Sequence, residues 1–249
     1  RGPGAVLRVS AEAEDLDLLG RRLGIALPLV RNASISGTLL YRKARLDMKD
    51  LTLKAGERDL TGSVSVDLSG ERPGFEGVLH TAEIDGGAMA AAIVGRPGGG
   101  AELTAFQALA DSGLLAAADG TITLRADRMH VGALRFGDLD ARIALKQGKL
   151  AVAPARAHSI AGKVEAGVEI DGSVVPATAS AYVKVPAFSP GPLLQRAGTV
   201  KAFGGVATVA ASVTTVLGTS ETMLQALDGD VLLAMGEGRL ALEPVDPPF

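Results

Sequence analysis

Apolar and polar side chains alternate along most of this chain with a period of two, the spacing that puts every second residue on one face of a β-strand. Val64, Val66 and Leu68 alternate with Ser63, Ser65 and Asp67, and Ile122, Leu124 and Ala126 alternate with Thr121, Thr123 and Arg125. Downstream, Leu139, Ala141, Ile143 and Leu145 share a face opposite Asp138, Asp140, Arg142 and Lys146, and Val164, Ala166, Val168 and Ile170 oppose Lys163, Glu165 and Glu169. Each run predicts a strand with one apolar and one wetted face. Turn signals separate the runs at Ser69-Gly70, Gln147-Gly148, Asp171-Gly172, Asp228-Gly229 and Glu237-Gly238. Their close spacing predicts antiparallel hairpins in a meander, with no room for crossover helices.

Helical patterns are few: 17–23, 88–94, 102–117, 192–197 and 220–227. The last has a capping hydroxyl in Thr219 or Ser220 and an acid, Glu221, where a helix N-terminus favours one. A second regularity is an internal repeat. The stretch from Leu51 matches the stretch from Leu150, with Gly62 on Gly162, Gly70 on Gly172 and Pro73 on Pro176. Each copy reads as strand, turn, strand, Gly/Pro break, strand and a short apolar helix, near Met89 in one and Leu193 in the other. Self-similarity of this kind marks stacked architectures. The Gly- and Pro-rich run at 95–100 divides the copies. The expected organisation is a first β repeat region at 1–95, a Gly-rich linker and helix at 96–117, and a second β repeat region at 118–249.

Composition narrows the function. Hydrophobic residues make up 47% of the chain but aromatics only 3%, with no Trp, so the apolar surface is built of Ala, Val, Leu and Ile. Such a lining leaves room for acyl chains, whereas a nucleic-acid surface calls for aromatic platforms and excess base. A net charge of −3 also argues against nucleic acid. The absence of cysteine excludes disulfides, thiolate metal sites and cysteine nucleophiles. No apolar run reaches the roughly 18 to 20 residues of a membrane-crossing helix. The chain begins abruptly at Arg1-Gly2-Pro3-Gly4 without a signal pattern, which reads as a piece of a longer protein.

Residues 118–172 carry a recurring phrase: a Gly-led alternating strand, a short turn, an amphipathic strand, an Asp/Gln-Gly-x-Leu hairpin and a Gly-x-apolar strand. Residues 183–194 continue with a strand running into a Pro-Leu-Leu-Gln helix. Residues 204–242 close with a Gly-led strand, a short helix and a last hairpin. Together these resemble the AsmA family over about half the chain, and the first half more loosely through the repeat. The resemblance implies a periplasmic protein tethered to the inner membrane by an N-terminal helix lying outside this chain. It also implies an architecture related to bridge-like lipid transfer proteins, with a role in lipid transport between membranes and outer-membrane biogenesis.

The fold expected is thus mostly β: an elongated, curved antiparallel sheet built from repeats, open as a groove, with a few short helices. Its apolar face is expected to bind phospholipid or another acyl lipid, with Ile122, Leu124, Leu139, Ile143, Leu145, Val164, Val168 and Ile170 lining the groove. A diacyl lipid in water exposes about thirty methylenes at about 0.8 kcal/mol each, on the order of 25 kcal/mol, which a trough of small aliphatic side chains would remove. Alternation alone cannot separate a trough from a sandwich, and amphipathic strands more commonly pack one face on an ordinary protein core. A structural module that pairs with envelope proteins through its sheet edges is the rival function.

Enzyme chemistry is not expected, and neither is a cofactor. His80, His130 and His158 have no second ligand at zinc-site spacing. Asp138 and Asp140, flanked by Arg142 and Lys146, read as a solvated face. No Gly-x-Ser-x-Gly elbow occurs, and Gly98-Gly99-Gly100 is followed by no Gly-Lys-Ser/Thr. Arg21-Arg22 and Arg42, Lys43 and Arg45 are the densest basic clusters. They are solvated charges or contacts to anionic headgroups, weak alone in salt.

Overall fold

The computed structural model describes residues 5–15, 31–55, 58–86, 114–160, 162–191 and 202–241. The first half contributes β1 (Ala5–Asp15), β2 (Arg31–Arg42), β3 (Arg45–Ala55), β4 (Arg58–Asp67) and β5 (Gly74–Asp85). A short helix α1 (Leu114–Ala117) leads into β6 (Asp119–Val131), β7 (Leu134–Lys146), β8 (Lys149–Ser159), β9 (Gly162–Asp171) and β10 (Thr178–Phe188). Then come β11 (Ala202–Val216), α2 (Ser220–Gln225) and β12 (Asp228–Ala241). All twelve strands lie in one sheet in chain order, with β1 and β12 as its two edges. At about 4.8 Å per strand the sheet spans roughly 50 Å from edge to edge.

One pairing departs from the expected meander. β5 and β6 run parallel, Gly74 beside Asp119 and Thr81 beside Ala126, while every other neighbouring pair is antiparallel. A parallel pair needs a connection long enough to return to the starting end. The chain between Asp85 and Asp119 supplies it, so a crossover stands where hairpins were expected. The same pairing hydrogen-bonds the two repeat regions into one sheet.

The last hairpin is also absent. Asp228-Gly229 and Glu237-Gly238 lie within β12 rather than at turns. Gly229 sits there because a Cβ would come within 2.4 Å of the Ser212 carbonyl oxygen. The turn that the pattern lacked is made by α2. Thr219 caps that helix, its Oγ1 accepting from the Thr222 N–H at 3.2 Å, with Glu221 in the first turn as expected. Of the expected helix at 102–117, the described part is Leu114–Ala117; the helices expected at 17–23, 88–94 and 192–197 lie outside the described residues.

The repeat has a structural counterpart. Gly62 and Gly162 both adopt positive φ, +152° and +133°. At Gly62 a side chain is impossible, since its Cβ would lie 2.0 Å from the Val78 carbonyl oxygen. At the end of β4, Asp67 Oδ1 accepts from the Ser69 N–H at 2.9 Å; at the end of β9, Asp171 Oδ1 accepts from the Ser173 N–H, also at 2.9 Å. The next residue after each aspartate closes back on the preceding turn, Leu68 N–H to Ala44 O and Gly172 N–H to Gly148 O. Gly172 therefore occupies the place of Leu68, two residues from the position that matching it to Gly70 assigns.

Strands keep their apolar residues inward by shifting phase at bulges. In β3 the inward series passes from Met48 to Leu51 across Asp50, whose φ is +50°. In β7 it passes from Leu139 to Phe136 across Asp138, φ +53°. In β8 it passes from Val152 to Ala155. Each skip turns two consecutive residues outward and adds local twist.

Candidate functional site

Register connects the inward residues into rows across the sheet. One row runs Gly77, Ile122, Ile143, Val152, Val168, Ala181, Val213. The next runs Leu79, Leu124, Ala141, Ala155, Ala166, Val183, Ala211, Val231. The rows continue through β5 into β1–β4, where Leu7 pairs with Leu39, Leu39 with Met48, Met48 with Val64 and Val64 with Gly77. From β5 to β12 no charged residue occupies a described inward position; in β1 to β4 the inward series ends at Asp15, paired with Arg31, and at Arg58, paired with Ala55. All eight residues expected to line a groove lie on it: Ile122 and Leu124 on β6, Leu139, Ile143 and Leu145 on β7, and Val164, Val168 and Ile170 on β9.

The face has two different regions. At the turn end of β7 to β10, α1 and α2 fold over it. Leu115, Ile170, Ala177 and Leu217 are buried together there, with Leu145, Leu150, Val168 and Met223 packed around them. Ile170 is 1% exposed, so with Leu145 and Val168 it sits under the protein's own helices. Thr215 fastens this cover, its buried hydroxyl donating to the Met223 carbonyl at 2.6 Å. Toward the other end, Ala126, Leu139 and Ala157 are buried with Ile84, Met129 and Phe136 around them, next to the β7 bulge. Between these clusters lie Ile122, Leu124, Ile143 and Val164, all partly exposed.

Among the described residues no second sheet covers this face. Substantial contacts between strands run only between hydrogen-bonded neighbours, and those of helices only from α1 to β7 and β8 and from α2 to β11. The packed-core reading of the alternation would require a facing layer. The uncovered character is strongest at β12, where Val231 is 80% and Leu233 61% exposed.

The opposite face is polar and laced by ion pairs across strands. Arg45 holds Asp47 at 2.8 Å and Glu76 at 2.6 Å, Arg125 holds Asp140 at 3.1 Å, and Arg156 holds Glu165 at 3.1 Å. Exposed pairs of this kind contribute about 0.2–1 kcal/mol each. Asp47 is held below the ordinary carboxylate range by the Ser65 hydroxyl and by Arg45. Asp171 is lowered to about 2 by Lys149 and by Ser173.

The three histidines face carboxylates on this side: His80 with Asp127 at 2.8 Å, His130 with Glu83 at 3.3 Å and His158 with Asp138 at 3.9 Å. Asp138 and Asp140 do not act as a pair, because the left-handed backbone at Asp138 turns it toward His158 while Asp140 engages Arg125. Among the described residues, no group of three or more His, Cys, Asp or Glu side chains is placed to hold a metal ion. Of the basic clusters, Lys43 lies in the β2–β3 turn, Arg45 is paired, and Arg21-Arg22 lies outside the described residues.

The expected site stopped short of the whole face. The first-half residues Ile35, Leu39, Leu46, Met48 and Leu53, and Val183, Val209 and Leu233 in the last strands, extend it to both edges. The signal was present at Ala33, Ile35, Gly37, Leu39 and Tyr41, an alternation diluted by small residues.

A sequence profile of the AsmA family matches residues 102–243, which take in α1, β6 to β12 and α2. No curated protein and no solved structure matches significantly. The profile covers more than half of the chain, and the strands it covers are those that carry the repeat's second copy and its apolar face: the chain belongs to the AsmA family.

Proposed function

We propose that this protein is a non-enzymatic component of the bacterial envelope whose apolar face shelters the acyl chains of phospholipid or a related lipid. One observation carries the reading: an apolar face that runs from β1 to β12, free of charge across β5 to β12, with no second sheet over it among the described residues. Exposing so much aliphatic surface to water is unfavourable, and hydrocarbon is the partner that relieves it without needing hydrogen bonds. The dimensions suit this. An acyl chain reaches across half of a hydrocarbon core of about 30 Å, whereas strands of 10 to 15 residues run roughly 33–50 Å.

Family membership agrees with an envelope role in lipid movement. No helix among the described residues is long and apolar enough to cross a membrane, so on this reading a segment outside them provides any inner-membrane tether. The helix-covered end closes the trough on one side, and lipid lies over the row from Ile122 to Val152 and the row from Leu124 to Ala166.

The test is to purify the chain from cells without detergent and measure bound phospholipid by mass spectrometry. Near-stoichiometric lipid is expected; a folded, lipid-free protein would contradict the proposal. A second reading has its own support. β12 presents an unpaired edge on which Leu232 is 58% and Met235 59% exposed, a template for strand addition by a partner protein.

A further inference from the structure

The polar face carries a cavity unrelated to the apolar one. Where β5 and β6 run parallel, side chains from β4 to β7 surround a space of about 620 Å³. Register sets its wall: Ser63 pairs with Val78, Val78 with Thr123, and Thr123 with Arg142. Thr121, Glu76 and Ser65 form the adjacent line.

Two of these groups are already engaged. Ser65 Oγ donates to Asp47 Oδ1 at 2.6 Å, and Glu76 accepts at 2.6 Å from Arg45 Nη2, a guanidinium that it shares with Asp47. The others are not. Among the described residues, the hydroxyls of Ser63, Thr121 and Thr123 and the guanidinium of Arg142 have no side-chain partner. This sets Arg142 apart from Arg125, Arg128 and Arg156, each of which faces a carboxylate on a neighbouring strand. Its cross-strand neighbour is Thr123, so the guanidinium lies at one side of the cavity beside that hydroxyl, with Thr121 further along β6 and Ser63 on the far side.

A planar cation beside a hydroxyl matches a tetrahedral oxyanion. The cavity is far larger than such an ion, since one water claims about 30 Å³ of liquid. The remaining space is lined by the Ser63 and Thr121 hydroxyls and the Glu76 carboxylate, groups that recognise alcohols, with Val78 and Phe75 between them. We propose that this cavity binds a phosphorylated polyol, with Arg142 on the phosphoryl oxygens and Ser63, Thr121, Thr123 and Glu76 on the hydroxyls. Both a phospholipid headgroup and a free sugar or glycerol phosphate present this chemistry. The site lies on the face opposite the acyl-lining one and does not rest on it.

The full chain is titrated with sn-glycerol 3-phosphate and with inorganic phosphate by calorimetry. Saturable binding is expected, tighter for the polyol phosphate, and weakened roughly tenfold by Arg142→Gln, the loss of one charge-assisted contact. Thr123→Val, which keeps the strand geometry, is expected to weaken it several-fold, whereas Arg125→Gln is expected to leave it unchanged. Vesicles of phosphatidylglycerol that displace glycerol 3-phosphate would identify the headgroup as the source; failure to displace would identify the free metabolite class. Absence of saturable binding by the folded wild type, or equal affinity in Arg142→Gln and Thr123→Val, would overturn the proposal. Phospholipid co-purifying on the apolar face is expected to be unaffected by Arg142→Gln, so the two readings fail separately.

Discussion

Replacing Ile170 by alanine separates the two regions of the apolar face. Ile170 is 1% exposed and packs against Leu115, Ala177 and Leu217 beneath α1 and α2. The substitution removes three carbons, at about 0.8 kcal/mol each, so about 2.4 kcal/mol of burial is lost. The cavity left under the helices raises this to about 3–4 kcal/mol. Val231, on the same face but 80% exposed at β12, should lose less than about 0.5 kcal/mol when changed to alanine. Strands that touch only their neighbours open by parts, so hydrogen exchange of β8 to β10 amides is the suitable readout. Ile170→Ala should accelerate exchange there by roughly 150- to 700-fold, with little change in β1 to β4. If Ile170→Ala and Val231→Ala had equal effects, the helix-covered end would not be a core and the division of the face would be wrong.

Three further outcomes follow from local geometry. Gly62→Ala forces a Cβ against the Val78 carbonyl and should prevent soluble expression, whereas Gly132→Ala, at φ +58° with open space around it, should cost about 1 kcal/mol in urea unfolding. Asp171→Asn removes the charge that pairs with Lys149 while its amide oxygen still accepts from the Ser173 N–H, and should cost up to about 1 kcal/mol at neutral pH, modest because Lys149 is half exposed. Because the folded carboxyl titrates at about 2, below its ordinary value, the wild-type advantage is complete above pH 4 and vanishes as pH falls through 2; acid unfolding curves of the two proteins should converge there. Leu232→Lys on the exposed edge should leave the melting temperature within a few degrees of wild type while lowering light scattering on concentration.

The strands with strict alternation were legible because their chemistry is two-sided. Ile122 to Ala126 and Val164 to Ile170 fall on β6 and β9 with the facing the sequence predicts. Bulges were not legible: Asp50 breaks the period without a neighbouring Gly or Pro, Gly137 beside Asp138 is one glycine among 32, and the positive φ of each aspartate reveals the phase change. The parallel β5–β6 joint escaped for another reason. A crossover is a property of where the chain returns, and alternation in each strand is the same whichever way its neighbour runs. The cavity at Arg142 was hidden for the same cause, since Ser63, Thr123 and Arg142 meet only through that joint. Ile170 was read as one of many lining residues because periodicity records facing but not what lies above it.

The central claim is that the acyl chains of lipid lie against one face of this sheet and not the other. A photo-crosslinking side chain at Leu124, on the open apolar floor, or at Glu169, exposed on the polar face of β9 away from the Arg142 cavity, tests it in cells. The account predicts covalent phospholipid adducts from the Leu124 position and none above background from Glu169. Equal labelling at both positions, or no lipid adduct at Leu124 in a folded protein, would contradict it.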